Sequence, residues 1–455
     1  MLVEKSMQAE PSAPANASPR GTLLLRVMET LEQAGIPICI LHGYEQYPQT
    51  VGADVDCLVP PQFVPLALAR ALHLGADKSG ARIVQWFEDG AHFIVLAGRD
   101  TDGSPVLLQL HVSSHYEMGG RTFFGAEEIL ESRRPKAGFW IPSAAMEFSC
   151  VLVNRLAKRK LTDDHARQLS ALFSQDPAGC RERAENLLGA ESARLVVQAA
   201  DSGAWQPVLQ NISELSREIL ASPCSRPAGK ALARLTGKLR RWLRPRNGFH
   251  AVFLGPDGVG KSTTIEAFQR DLAPAFLHSA YLTFAPGLIP QKFAAPKPDG
   301  PHSLAPRSLP ASLLKAAWWA VCYTAGYALT IRPTLARAGL VVNHRYLVDA
   351  IVDQKRYRYS GPVWLLKVIW AIAPKPDVVF LLDAAPEVIQ KRKQEVPFAE
   401  TARQVQAYRT VIGKLDIGKI IDGSQPRRQV ASEVEWLVLD RMADRTERRF
   451  KLGGA

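Results

Sequence analysis

No Cys-x-x-Cys pair occurs anywhere in the chain. Its six cysteines, Cys39, Cys57, Cys150, Cys180, Cys224 and Cys322, lie far apart, which excludes a zinc ribbon or a disulfide scaffold and predicts reduced, mostly buried thiols in a cytoplasmic protein. The first twenty residues lack the apolar centre of a signal peptide; rich in Pro, Ala and Ser, residues 1–20 are predicted to form a disordered tail. No internal repeat is visible. Acidic residues are too few to balance the basic ones, 44 against 56, for a net charge of +12. Such an excess attracts nucleic acid, anionic lipid or phosphorylated substrates; a nucleoside triphosphate and a small phosphate-accepting molecule or glycan are the partners expected here, and nucleic acid is not. The one long apolar run, Leu313 to Ile331, carries Lys315 as its only charge. Trp319, Tyr323 and Tyr327 recur in it every four residues, as on a helix buried in protein, so no transmembrane segment is predicted.

At 455 residues the chain exceeds what one core supports, and two or three domains follow. The segment Lys230–Arg246 has no acidic residue and sets Leu232, Leu235, Leu239, Trp242 and Leu243 on one helical face. This basic amphipathic helix either packs against the domain it precedes or makes peripheral contact with a membrane. The predicted divisions are a folded domain at 21–143, a helical extension at 144–220, a basic linker helix at 221–247 and a second domain at 248–449. Within the last, short apolar runs at 250–254, 279–284, 339–343, 377–382 and 418–421 alternate with helical stretches. That alternation predicts an α/β fold, a parallel sheet flanked by helices, with ligands at the carboxyl ends of the strands. The Pro-rich stretch at 285–310 reads as a long loop.

The richest motif follows the first of these runs. Gly255-Pro256-Asp257-Gly258-Val259-Gly260-Lys261-Ser262-Thr263 has the P-loop spacing, in which glycines let backbone amides turn toward a phosphate chain. Lys261 adds a charge near the outer phosphates, and Ser262 offers a hydroxyl to Mg²⁺. ATP and Mg²⁺ are therefore the expected cofactors.

This motif, together with Thr283–Gly287 (TFAPG), His344-Arg345-Tyr346 and Pro376–Lys393 (PDVVFLLDAAPEVIQKRK), resembles the thymidylate kinase group of nucleoside monophosphate kinases. The run VDAIVDQKRYRY and the fused first half are similar to uncharacterised thymidylate kinase-like proteins of bacterial polysaccharide gene clusters. The resemblance implies a P-loop NTPase fold and phosphoryl transfer. It places Asp257 before the acceptor, Arg345 on the transferring or accepting phosphate, and Lys391, Arg392 and Lys393 at a cationic lid. Two departures bear on substrate. His344 replaces an acidic residue, and imidazole is a poor ligand for Mg²⁺; Phe284 and Ala285 replace the family's Arg and Glu, which argues against thymidylate. Asp349 and Asp353 would share a helical face, as metal-water ligands or a base, or as salt-bridge partners of Lys355 or Arg356. The basic and aromatic run Lys355–Tyr359 would hold an anionic or sugar acceptor, or pack at an edge.

In the first half, the strand-like Ile38–Leu41 leads into His42-Gly43-Tyr44, followed by Asp54-Val55-Asp56. Asp-x-Asp on a strand sets both carboxylates on one face, where they can share a divalent metal. The arrangement resembles the nucleotidyltransferase superfold and implies Asp54 and Asp56 as metal ligands, but Tyr44 stands where that family has a small residue and Gln109 where it has a third carboxylate. Three functions are consistent with these readings: a kinase acting on a nucleotide, sugar or glycan-linked acceptor, a nucleotide-binding regulatory or scaffold protein, and a bifunctional kinase and nucleotidyltransferase.

Overall fold

The structure, a computed structural model, describes residues 16–52, 54–227, 246–286, 302 and 304–452. Backbone proximity separates two units, one of residues 1–100, 106–235 and 446–455, the other of residues 101–105 and 236–445. The basic segment 230–246 lies outside the described residues except at Arg246, as do the expected tail up to residue 15 and most of the Pro-rich loop. The helix Pro19–Gln33 already includes the last two positions of that tail, with the Ser18 side chain accepting from the Gly21 amide.

The first unit is built on a mixed five-stranded sheet. Its spatial order is β1 (Cys39–Ile40), β2 (Asp54–Leu58), β5 (Pro105–Ser113), β4 (His92–Arg99) and β3 (Arg82–Glu88). β2 runs parallel to β5, while β1 with β2 and β3 with β4 are antiparallel. The helices Pro19–Gln33 and Leu66–Asp77 press Leu24, Val27, Leu31, Leu68 and Leu72 into one core with Ile83, Trp86, Ile94 and Leu96. Smaller pieces follow: β6 (His115–Met118), β7 (Arg121–Gly125) and β10 (Arg226–Pro227) form one sheet, and β8 (Arg134–Lys136) pairs with β9 (Phe139–Ile141). The helices from Ala144–Ala157 to Ile212–Ala221 bury Met146, Phe148, Leu152, Phe173 and Val196 in a second core. This is the helical stretch that apolar periodicity predicts. The end of the chain also belongs to this unit: Phe450 packs on Trp86 at 4.8 Å between ring centroids, and Glu447 pairs with Arg82 at 2.9 Å.

The second unit is a five-stranded, all-parallel sheet in the order β12 (Ser279–Leu282), β13 (Leu340–His344), β11 (Phe249–Leu254), β14 (Val378–Asp383) and β15 (Gly418–Asp422). The five predicted runs are these strands, displaced by one or two residues at their ends. Central β11 is buried along its whole length, as a strand covered on both faces must be. On one face Phe253 meets Phe268 of the helix Lys261–Asp271 at 5.3 Å. On the other, Val252, Leu254, Val379 and Leu381 pack with Trp319, Tyr323, Leu366 and Tyr408, which come from the helices Leu309–Gly326, Val363–Ile372 and Phe398–Ile412. Trp319 and Tyr323 thus face protein. Among the described residues, no helix is long and apolar enough to cross a membrane.

Candidate functional site

The chain leaves β11 toward edge strand β12, returns to β13, and later crosses to β14 on the other flank of β11. Connections therefore diverge at the carboxyl end of β11, opening the crevice where open α/β sheets bind ligands. The loop of residues 255–260 lies at that point. Gly255 turns there at φ +137°, and a Cβ on it would lie 2.5 Å from the Leu382 carbonyl oxygen. Gly260, at φ +107°, passes the chain into the helix Lys261–Asp271, whose first amides and dipole face the loop.

A cleft of about 660 Å³ opens over this loop. It is lined by Asp257 through Thr264, His344, Arg392, Lys393, Gly423, Gln425, Arg427 and Val430, so every predicted loop residue from Asp257 to Thr263 borders it. Asp257 is the one acid in that lining, against the cations Lys261, Arg392, Lys393 and Arg427. The Ser262 hydroxyl is at the helix start and exposed. Lys261 is 4% exposed; its ammonium donates to the carbonyls of Gly255 at 2.7 Å and Pro256 at 2.8 Å and lies 3.5 Å from Asp257. Burial, reinforced by the charge of Arg345, pushes its pKa down to about 8.

Behind Asp257 lies a network that sequence reasoning only partly anticipates. Arg345 donates to both Asp257 and Asp349, and Arg356 donates to Asp257 from the far side. Asp349 is fully buried and accepts from the hydroxyls of Tyr357 and Tyr408 as well. Asp353 accepts from His302 at 2.8 Å, the Arg356 amide at 3.1 Å and Gln404 at 3.1 Å. The helix Leu347–Val352 ends before Asp353, whose backbone is no longer helical, so the two aspartates do not share a helical face as expected; both are ion-pair partners, Asp353 with Arg356 as one reading had it, and Asp349 with Arg345. Burial alone would raise the Asp257 carboxyl; Lys261, a hydrogen bond with Glu395, and the two guanidiniums override it and hold the carboxyl far below the usual range. Burial likewise opposes ionisation of Asp349, and Arg345 outweighs it. Arg345 has a backbone φ of +79°, a strained conformation for a residue with a Cβ, and its amide is tied to the Phe253 carbonyl at 3.0 Å.

Other predicted residues occupy different roles. Arg392 directs its guanidinium to the carbonyls of Gly423 at 2.9 Å and Val259 at 3.4 Å, so it braces the loop against the end of β15 rather than projecting from a lid. Lys393 pairs with Glu395 at 2.6 Å. His344 lines the cleft with Nδ1 on the Tyr281 hydroxyl at 3.1 Å and Nε2 buried without a partner. Burial and the charges of Lys261 and Arg345 push it down to about 4, so it is a neutral imidazole at physiological pH. Phe284 packs its ring on Trp319, Tyr323 and Tyr357. Gln425 and Arg427 were not anticipated; their only sequence signal is a position just after a predicted strand.

In the first unit, Asp54 and Asp56 do share a face of β2, in register with Gln109 and His111 of β5. Asp56 is held by His111 at 3.1 Å and His42 at 3.3 Å. Burial works against its charge, and those two imidazoles hold its pKa low. Tyr44 is core, with its hydroxyl on the buried Glu147; it fills the position with packing rather than leaving a glycine-like opening. No protein-family model matches this chain, and no curated protein matches it.

Proposed function

We propose that the second unit is an ATP- and Mg²⁺-dependent phosphotransferase of the P-loop kinase type. One observation carries the reading: a glycine loop at the point where the sheet's connections diverge, roofed by a cleft with four cations and one acid. Such a cleft suits a polyphosphate chain, because the crowded Gly255 position admits only backbone, leaving amides and the helix dipole to meet the anion. Lys261 would hold the outer phosphates, and the exposed Ser262 hydroxyl fits a Mg²⁺ ligand, where the ion neutralises phosphate charge. Arg345 and Asp257 stand beside the Lys261 ammonium, where the terminal phosphoryl group would meet its acceptor. Their mutual ion pairing fixes both groups before substrate arrives, which favours transfer by positioning.

The test is incubation of the full-length protein with Mg²⁺-ATP and a panel of nucleotides, sugars and glycans, with mass spectrometry for a phosphoryl increment. Lys261→Ala should weaken ATP binding by about 10- to 100-fold, the loss of charge-assisted hydrogen bonds to phosphate. Folded protein that binds no ATP would reject the reading. Tight binding with no transfer to any acceptor would make the chain a nucleotide-binding regulator instead.

A further inference from the structure

Resting on the kinase reading, we infer that the phosphoryl acceptor is a neutral hydroxyl compound, of the sugar or polyol class, and not a phosphate monoester. In-line transfer requires the acceptor oxygen to approach the outer phosphate opposite the leaving group. The donor chain occupies the cleft over Lys261 and Ser262, so the acceptor enters where Asp257, Arg345 and Arg356 converge. A phosphate monoester acceptor needs cations free to receive its charge.

The three cations that converge there are each already faced by a carboxylate. Lys261, Arg345 and Arg356 are faced by Asp257, Asp349 and Asp353, with Glu395 beside them. Nearby cations are turned elsewhere: Lys315 to the Tyr357 carbonyl, Arg358 to the Ala305 carbonyl at 2.8 Å, Arg403 to Glu400 at 2.7 Å. Lys355 is exposed. A dianionic acceptor could recruit Arg345 only by displacing Asp257 from one of its nitrogens or Asp349, fully buried, from the other, and breaking a buried pair from one side is strongly unfavourable. A hydroxyl makes no such demand. It both donates and accepts, so it fits a balanced set of carboxylates and guanidiniums. In the step itself, a bond forms from the acceptor oxygen to the γ-phosphorus and the bond from that phosphorus to the bridging oxygen breaks. ADP leaves with the bond's electrons, and the hydroxyl proton passes to solvent.

The experiment is calorimetry on the full-length chain with Mg²⁺ and a non-hydrolysable ATP analogue at saturation. Matched pairs are then titrated: thymidine with thymidine 5′-monophosphate, and glucose with glucose 6-phosphate. The monoester should bind no more tightly than its dephosphorylated partner. Asp349→Asn and Asp353→Asn each remove, in an isosteric setting, one of the carboxylates that hold Arg345 or Arg356, leaving that guanidinium paired with Asp257; each should raise monoester affinity by about tenfold, and a fold-competent version of either suffices. Wild-type preference for a monoester by tenfold or more, or no gain in either variant, overturns the inference. Failure of the analogue to bind defeats the kinase reading itself, so the two failures are distinct.

Discussion

Lys261 sets a pH window on both binding and stability. Its pKa is pushed down to about 8 from 10.5, and only the ammonium attracts phosphate. ATP affinity should therefore fall as pH rises past about 8, by about tenfold per unit once the lysine is neutral. Stability runs the opposite way. Between about 8 and 10.5 the unfolded chain binds a proton that the folded chain does not, so unfolding free energy should rise with pH there; calorimetry and denaturant titration across that window check the pair. Gly258 offers a sterically defined variant. It has φ +88°, and an added Cβ would lie 2.9 Å from Lys393 Cβ and 3.3 Å from the Ile389 carbonyl, so Gly258→Ala should cost roughly 1–2 kcal/mol in denaturant unfolding and weaken ATP binding with it. The loop itself was legible in the sequence because its backbone turns through positive φ at Gly255, Gly258 and Gly260, where only glycine adopts such angles without strain. The positive φ of Arg345 was not, since nothing in a residue's type announces a conformation imposed by its neighbours. Nor was the Arg356–Asp257 pair, whose partners are separated by 99 positions.

Elements were more legible than their junctions. The three inner strands of the second sheet, β13, β11 and β14, are near-continuous apolar runs because both faces are covered, and such runs stand out against polar helix surfaces. Helix contacts were hidden, because an amphipathic stripe states that a face is buried and not what lies against it. The helix Arg427–Phe450 shows the difference. It carries Glu435, 2% exposed with Oε1 unpartnered, whose carboxyl is pushed up to about 7 by burial, with the negative charge of Asp271 adding to it. From 4.5 to about 7 the folded chain holds a proton that the unfolded chain releases, so stability drops as pH rises through that interval. Glu435→Gln should therefore match wild type below the window and exceed it above, by on the order of 1–3 kcal/mol in thermal or denaturant unfolding.

At the level of the whole molecule, the glycine loop and the cationic cleft over it both belong to the second unit. Hydrogen exchange on the full chain with Mg²⁺-ATP should slow amides at Gly255–Thr263 and Gly423–Arg427, around the cleft, and leave Asp54–Leu58 and Pro105–Ser113 unchanged. Protection at Asp54–Leu58 would instead give the first unit a nucleotide of its own. Apolar runs and turn residues indicated two α/β portions, but they gave no hint that the units interleave along the chain, with residues 101–105 in the second and 446–455 in the first. That assignment depends on tertiary contacts such as the Trp436 indole on the Gly103 carbonyl at 2.9 Å. Deleting residues 446–455 would remove the Phe450 ring from Trp86 and the Glu447 partner of Arg82, and should destabilise the first unit by roughly 2–4 kcal/mol, read by tryptophan fluorescence in denaturant.

The order in which the ribosome releases the chain gives that packing a temporal meaning. Trp86 emerges early, yet the ring that covers it belongs to residue 450. The unit translated first is thus the one finished last, and its nascent form must wait with an uncapped indole while more than three hundred further residues are polymerised. Vectorial folding, which ordinarily lets an amino-terminal domain mature before its successor is made, is closed to this one until residue 450 has been added.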